Sequence, residues 1–118
     1  MKKFDLEDRL IDFSVQVIDV SEKLPNTKAA NHISGQMVRS GTSPALNYGE
    51  AQEAESRKDF IHKMGICRKE LKETSTALKI IIRRPWKEAV SDAEKALKEN
   101  KELLAIFSKS IETAKKNQ

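Results

Sequence analysis

Little in this chain would staple, break or bend a backbone. Its 118 residues include one cysteine, three prolines and four glycines. The lone cysteine, Cys67, excludes an internal disulfide and suits a reducing compartment. Aromatic residues are sparse at 5%, and only two histidines are present, His32 and His62. The longest run of large apolar residues, Ile80 to Ile82, falls far short of the ~20 needed to cross a bilayer. The N-terminal Met-Lys-Lys-Phe-Asp-Leu-Glu-Asp lacks the apolar stretch of a signal peptide. The expectation is a cytoplasmic protein without a membrane partner.

What remains is helix-forming. The length suits one domain spanning residues 1–118 with a core of its own. In the first helix, read over about residues 4–23, Leu6, Leu10, Phe13, Val17, Val20 and Leu24 alternate spacings of four and three. That rhythm is one apolar helix face. Phe4, Ile11 and Ile18 step by seven beside it and are expected to widen the buried arc. Asp5 is the expected N-cap. Leu24-Pro25 ends the helix, because a residue before proline is pushed out of the α region.

A second helix, about 27–55 with Asn26 or Thr27 as cap, begins with Ala30, Ile33 and Met37 on the same spacing. Its pattern then changes. The seam continues through Ser40, Pro44, Asn47, Ala51 and Ala54, where bulky side chains are expected. Gly41-Thr-Ser-Pro44 is either a loop or a kink within one long helix, and the matching length of the neighbours favours the kink. The third helix, about 57–84, is the most regular, with Phe60, Met64, Cys67, Leu71, Thr74, Leu78 and Ile81 as its seam. The fourth, about 88–115, carries Val90, Ala93, Leu97, Asn100, Leu104, Phe107, Ile111 and Ala114, with Ser91-Asp-Ala-Glu94 as a capping box if it starts late. The fold class is therefore all-α: an antiparallel up-down-up-down four-helix bundle.

Charge is unevenly placed. Residues 1–55 hold 6 basic and 9 acidic groups, and residues 56–118 hold 16 and 9. Within 56–84 the count is 9 against 3, so the third helix carries most of the surplus. Opposite its seam run Lys58, His62, Gly65, Lys69, Lys72, Thr76, Lys79 and Arg83 without an acid among them. Solubility alone explains a charged outer row but not one of a single sign, and the fourth helix shows the balanced alternative. Such a row fits a phosphate backbone, with Lys58, Lys69, Lys72, Lys79, Arg83 and Arg84 as its contacts. Trp86 adds one ring able to stack.

Catalytic readings find little footing. Asp59-Phe-Ile-His62 has a carboxylate–x–x–His spacing used by metal-binding bundles, but both residues lie on the solvent side and no second copy exists. Cys67 sits on the seam as a buried thiol. The Gly41 region has neither a preceding strand nor a Lys-Ser/Thr pair for phosphate cradling. No enzyme, cofactor, metal or small-molecule substrate is expected.

The small residues of 40–54 either let helices approach closely or mark a polar interface. Arg39, Ser40, Asn47, Tyr48 and Glu50 are candidates for an oligomer interface or a buried polar network. An Arg39–Glu50 pair or an Asn47 centre, within one chain or across two, would serve it. Asn100 is a similar register device, or is exposed where the bundle is wide.

The order Phe13-Ser, Leu24-Pro-Asn-Thr, Gln36, Arg39-Ser-Gly-Thr-Ser-Pro, Asn47-Tyr-Gly-Glu-Ala and Ser56-Arg-Lys-Asp-Phe resembles a known family. It is similar to the bacterial four-helix bundle proteins encoded in intervening sequences of 23S rRNA genes. Their fold is shared by the accessory protein of diversity-generating retroelements. The resemblance is dense over residues 13–71 and weak in the fourth helix. It implies a homopentamer with a basic surface, RNA ahead of DNA as a partner, and no catalytic residues. For the retroelement relatives it implies contact with reverse transcriptase, a protein partner for which this sequence holds no sign. The competing reading is a pentameric protein-interaction scaffold with no nucleic-acid role.

Overall fold

The computed structural model describes residues 5–117, and within them every regular element is a helix. Helix α1 spans Leu6–Glu22, α2 Lys28–Gln52, α3 Arg57–Arg83 and α4 Lys87–Lys116. Three of the four starts have a side-chain cap. Asp5 accepts from the Asp8 amide, Thr27 from Ala30 and Ser56 from Asp59. Each cap satisfies one donor that the first helical turn leaves without a partner. Helix α4 starts at Trp86 without such a cap, and Ser91 lies inside the helix instead of at its start.

Contacts between helices fix their directions. Ser14 donates to the Gly41 carbonyl and Ser21 meets Ser34; Ser40 meets Thr74 and the Cys67 thiol donates to the Pro44 carbonyl. Arg9 pairs with Glu99 and Lys23 with Asp92. In each pair the numbering rises on one helix as it falls on the other. Neighbours therefore run antiparallel, α1 closes against α4, and the diagonal backbones stay apart. Tyr48 and Phe107 meet edge to face across that diagonal, centroids 6.0 Å apart.

The core follows the seams of α1 and α3. Leu10, Phe13, Val17 and Val20 are fully buried, as are Cys67, Leu71, Leu78 and Ile81. Burial also pushes the Cys67 thiol up to about 12, so it is protonated at neutral pH. Two expectations are corrected. Ile11 and Ile18 do not widen the core; they are exposed, and Phe4 lies outside the described residues. In α4 the buried line is Ala89, Ala93, Ala96, Asn100, Leu103 and Phe107, while Val90, Leu97 and Leu104 are only half-buried. Ala89, Ala93 and Ala96 take the inward positions in the first half of α4, so bulk does not mark the seam there, whereas Leu103 and Phe107 fill it farther along.

Helix α2 runs unbroken through Pro44, so the loop alternative at Gly41–Pro44 is not realised. Proline there offers no N–H to the preceding turn. Side-chain donors gather on the carbonyls around it: Thr42 on Val38 (2.7 Å), Ser14 on Gly41 (3.4 Å) and Cys67 on Pro44 (3.6 Å). Gly41 is required for a different reason. A Cβ there would stand 2.7 Å from Val17 Cγ1, inside any real contact distance. A Cβ on Gly35 would meet nothing within 4 Å. Gly41→Ala is therefore expected to cost about 1–3 kcal/mol through overpacking. Gly35→Ala is expected to gain about 0.5–1 kcal/mol through helix propensity. Urea unfolding of the two variants measures both, and equal effects would contradict the packing at Val17.

Candidate nucleic-acid interface

The 27 residues of α3 make a helix about 40 Å long. Spacings of four and three place Lys58, Lys69, Lys72, Lys79 and Arg83 on its outer side, and all five are exposed, as is Arg84 at the C-cap. His62 and Thr76 share that row. The three acids of α3 are drawn elsewhere. Asp59 takes Lys63 one turn on at 3.1 Å, while Glu70 and Glu73 take Arg39 of α2 at 3.0 and 3.2 Å. Among the described residues, no carboxylate stands within ion-pair distance of the six cations. Their charge faces outward, available to a partner.

The opposite edge has the opposite sign. Helix α1 carries Glu7, Asp8, Asp12, Asp19 and Glu22 against the single base Arg9. Arg9 reaches two acids of α4, Glu99 at 2.6 Å and Glu102 at 2.7 Å. Crowding of acids at the start of α1 raises Asp8 above its ordinary value, first through its hydrogen bond with Asp5. Because α1 and α3 are diagonal neighbours, the acidic and basic edges lie on opposite sides of the bundle.

At the end where the α1–α2 and α3–α4 turns meet, Arg84 lies over the Trp86 ring, Cζ 5.5 Å from its centroid. A cleft of about 360 Å³ opens there, lined by Lys23, Arg84, Trp86, Lys87 and Glu88 among others. A shallower groove along Thr76, Lys79, Ile80 and Arg83 shares Arg84 with it. Sequence spacing could not disclose the cleft, because Lys23 joins it only through the fold.

The central polar residues separate into unlike roles. Ser40 is buried and shares a 2.8 Å hydrogen bond with Thr74. Asn47 donates to Ser43 one turn back (2.7 Å), and Tyr48 is half-buried against Phe107. Arg39 does not pair with Glu50 within the chain. It crosses to Glu70 and Glu73, whose charges raise its pKa, Glu70 foremost, while Glu50 is exposed. Asn100 is fully buried, donates to the Leu71 carbonyl at 2.8 Å, and has no partner for its Oδ1 among the described residues. The candidate metal residues are also separate: Asp59 holds Lys63 and His62 is exposed. No described helix is long and apolar enough to cross a membrane.

Comparison with known proteins follows this geometry. The family model described as 23S rRNA-intervening sequence protein matches residues 2–109. A crystal structure at 1.70 Å of a protein with unknown function from the S23 ribosomal protein family, from Bacteroides thetaiotaomicron, superposes with a TM-score of 0.82. The two chains are 31% identical, over 91% of this chain and 98% of that one. No curated protein matches the chain.

The Arg39 bridge is half exposed, and exposed pairs contribute little to stability. Arg39→Met is expected to lower the unfolding free energy by less than about 1 kcal/mol in urea titration. A loss of several kcal/mol would show a tightly buried pair.

Proposed function

The chain belongs to the 23S rRNA-intervening sequence protein family, and we propose that it is a non-enzymatic, self-assembling bundle that binds nucleic acid, RNA foremost, through the outer row of α3. The observation that carries this is the row itself: six exposed cations along the outer side of α3 and its C-cap, while the acids of that helix are ion-paired with Arg39 and Lys63. Lys58, Lys69, Lys72, Lys79, Arg83 and Arg84 would neutralise phosphates and release their counterions. Nothing in a helix edge of this kind reads base identity, so binding would be governed by salt more than by sequence.

Mobility-shift titration at several salt concentrations tests the reading. Affinity for RNA is expected at low salt and should fall steeply as salt rises, roughly 0.7 log unit per log unit of salt for each phosphate contact with a single strand. The variant combining Lys69→Glu, Lys72→Glu and Lys79→Glu should abolish it. Binding that is absent at low salt, or indifferent to the triple reversal, would overturn the proposal.

A second reading, a homopentamer whose assembled surface engages a protein partner, has its own support. Ile11, Val15 and Ile18 stand one turn apart along α1, exposed by 46%, 52% and 37%, and Leu46 on α2 is 74% exposed. Large apolar side chains so arranged favour a covering partner, and a second copy of the chain is the simplest one. Light scattering should give a mass near five times the 13.4 kDa of the chain, and Val15→Lys should lower it. A monomer at micromolar concentration would refute self-assembly.

A further inference from the structure

The cleft at the α3–α4 turn differs chemically from the row that leads to it. Along the outer row of α3 the charged groups named are all cations, suited to a backbone of phosphates. At the turn a cation is combined with a ring. The Arg84 guanidinium covers the Trp86 indole at 5.5 Å, while Arg84 itself is exposed. Trp86 in turn packs against the core, which fixes the ring from behind. A guanidinium over an indole at cation–π distance leaves its outer face open to solvent, and base faces stack on arginine planes as they do on aromatic rings.

Charge around this platform favours an anion. Lys87 and Arg84 have no carboxylate partner among the described residues, while Lys23 is held by Asp92 at 2.6 Å. Glu88 also lines the cleft and offsets part of that charge. The first turn of α4 adds amides without a side-chain cap. A planar platform beside cations, in a cleft of about 360 Å³, matches a nucleotide better than a bare phosphate. The shared Arg84 joins the cleft to the groove along Lys79 and Arg83, so a strand following α3 would enter it at its end.

We propose that this cleft holds an unpaired nucleotide of a bound single strand, its base stacked on Arg84 over Trp86 and its phosphate held by Lys87. The inference rests on the nucleic-acid reading of α3 and adds to it a preference for unpaired over duplex strands, a property the lysine row alone would not confer.

Trp86 is the only tryptophan in the chain, so its fluorescence reports on this cleft and nowhere else. A short single-stranded oligoribonucleotide is expected to quench it saturably, with the same midpoint as the mobility shift. The blunt duplex of that sequence should shift mobility yet leave the emission nearly unchanged. Arg84→Ala should weaken single-strand binding by about tenfold or more, since one stacked base is lost. The same variant should weaken duplex binding by only about twofold to threefold, as one phosphate contact among several. Circular dichroism confirms the fold of the variant, whose changed side chain is exposed.

Each other result is decisive. Quenching that is absent while the mobility shift persists overturns the cleft and leaves the α3 reading intact. Equal quenching by duplex and single strand overturns the preference. Full quenching by inorganic phosphate alone reduces the site to an anion pocket and overturns the stacking. Loss of every mobility shift removes the α3 reading and this inference with it.

Discussion

The rest of the bundle depends on how closely the middle of α2 approaches its neighbours. On one side Gly41 leaves no room for a Cβ against Val17; on the other, Ser40 bonds Thr74 and the Cys67 thiol reaches the Pro44 carbonyl. Across α3, Asn100 bonds the Leu71 carbonyl, one turn from Thr74. Ser14, Ser40, Thr74 and Asn100 thus insert a polar band into an otherwise apolar interior. Apolar seams tolerate sliding, because one leucine replaces another at little cost. The Asn100 bond does not, since a slip by one turn would take its buried amide from the Leu71 carbonyl, whereas Ser14, Ser40 and Thr74 each keep a bond to a carbonyl of their own helix. Apolar burial drives the helices together, and Asn100 within this band selects the register in which they stop.

Much of this was legible in the chain, and the exceptions share a cause. The seams of α1 and α3 follow directly from spacing, because large apolar residues there have one place to go. In α4 the same rule selected Val90, Leu97 and Leu104, whereas Ala89, Ala96 and Leu103 face inward. Periodicity gives the rhythm of a helix but not its rotation, and rotation is set by how much volume the neighbours leave. Ile11 and Ile18 mislead for the complementary reason: apolar character marks a surface that favours cover without saying what covers it. Arg39 stands out in the sequence as a polar residue among small ones, but its partners Glu70 and Glu73 lie on the next helix. Pairing across helices needs the register, which the sequence states only indirectly.

The candidate site divides in the same way. The α3 row could be read because a helix turns its own sequence into a line of side chains, needing no knowledge of neighbours. The cleft could not, because it is made where two turns meet and Lys23 is brought beside Arg84 and Lys87 by closure of the bundle. Local chemistry is written along the chain; composite chemistry appears only once the chain has folded.

The diagonal placement of the acid-rich and base-rich helices has one more consequence. A net charge of +4 describes attraction to a polyanion but not direction. With α1 negative on one side and α3 positive on the other, the molecule has an electric dipole lying across its long axis. For a single chain near a line of phosphates, that dipole would produce a torque about the 47 Å axis before any atom touches, turning α3 inward and α1 away. Orientation would then be part of the proposed encounter itself, with fewer collisions arriving wrong side forward.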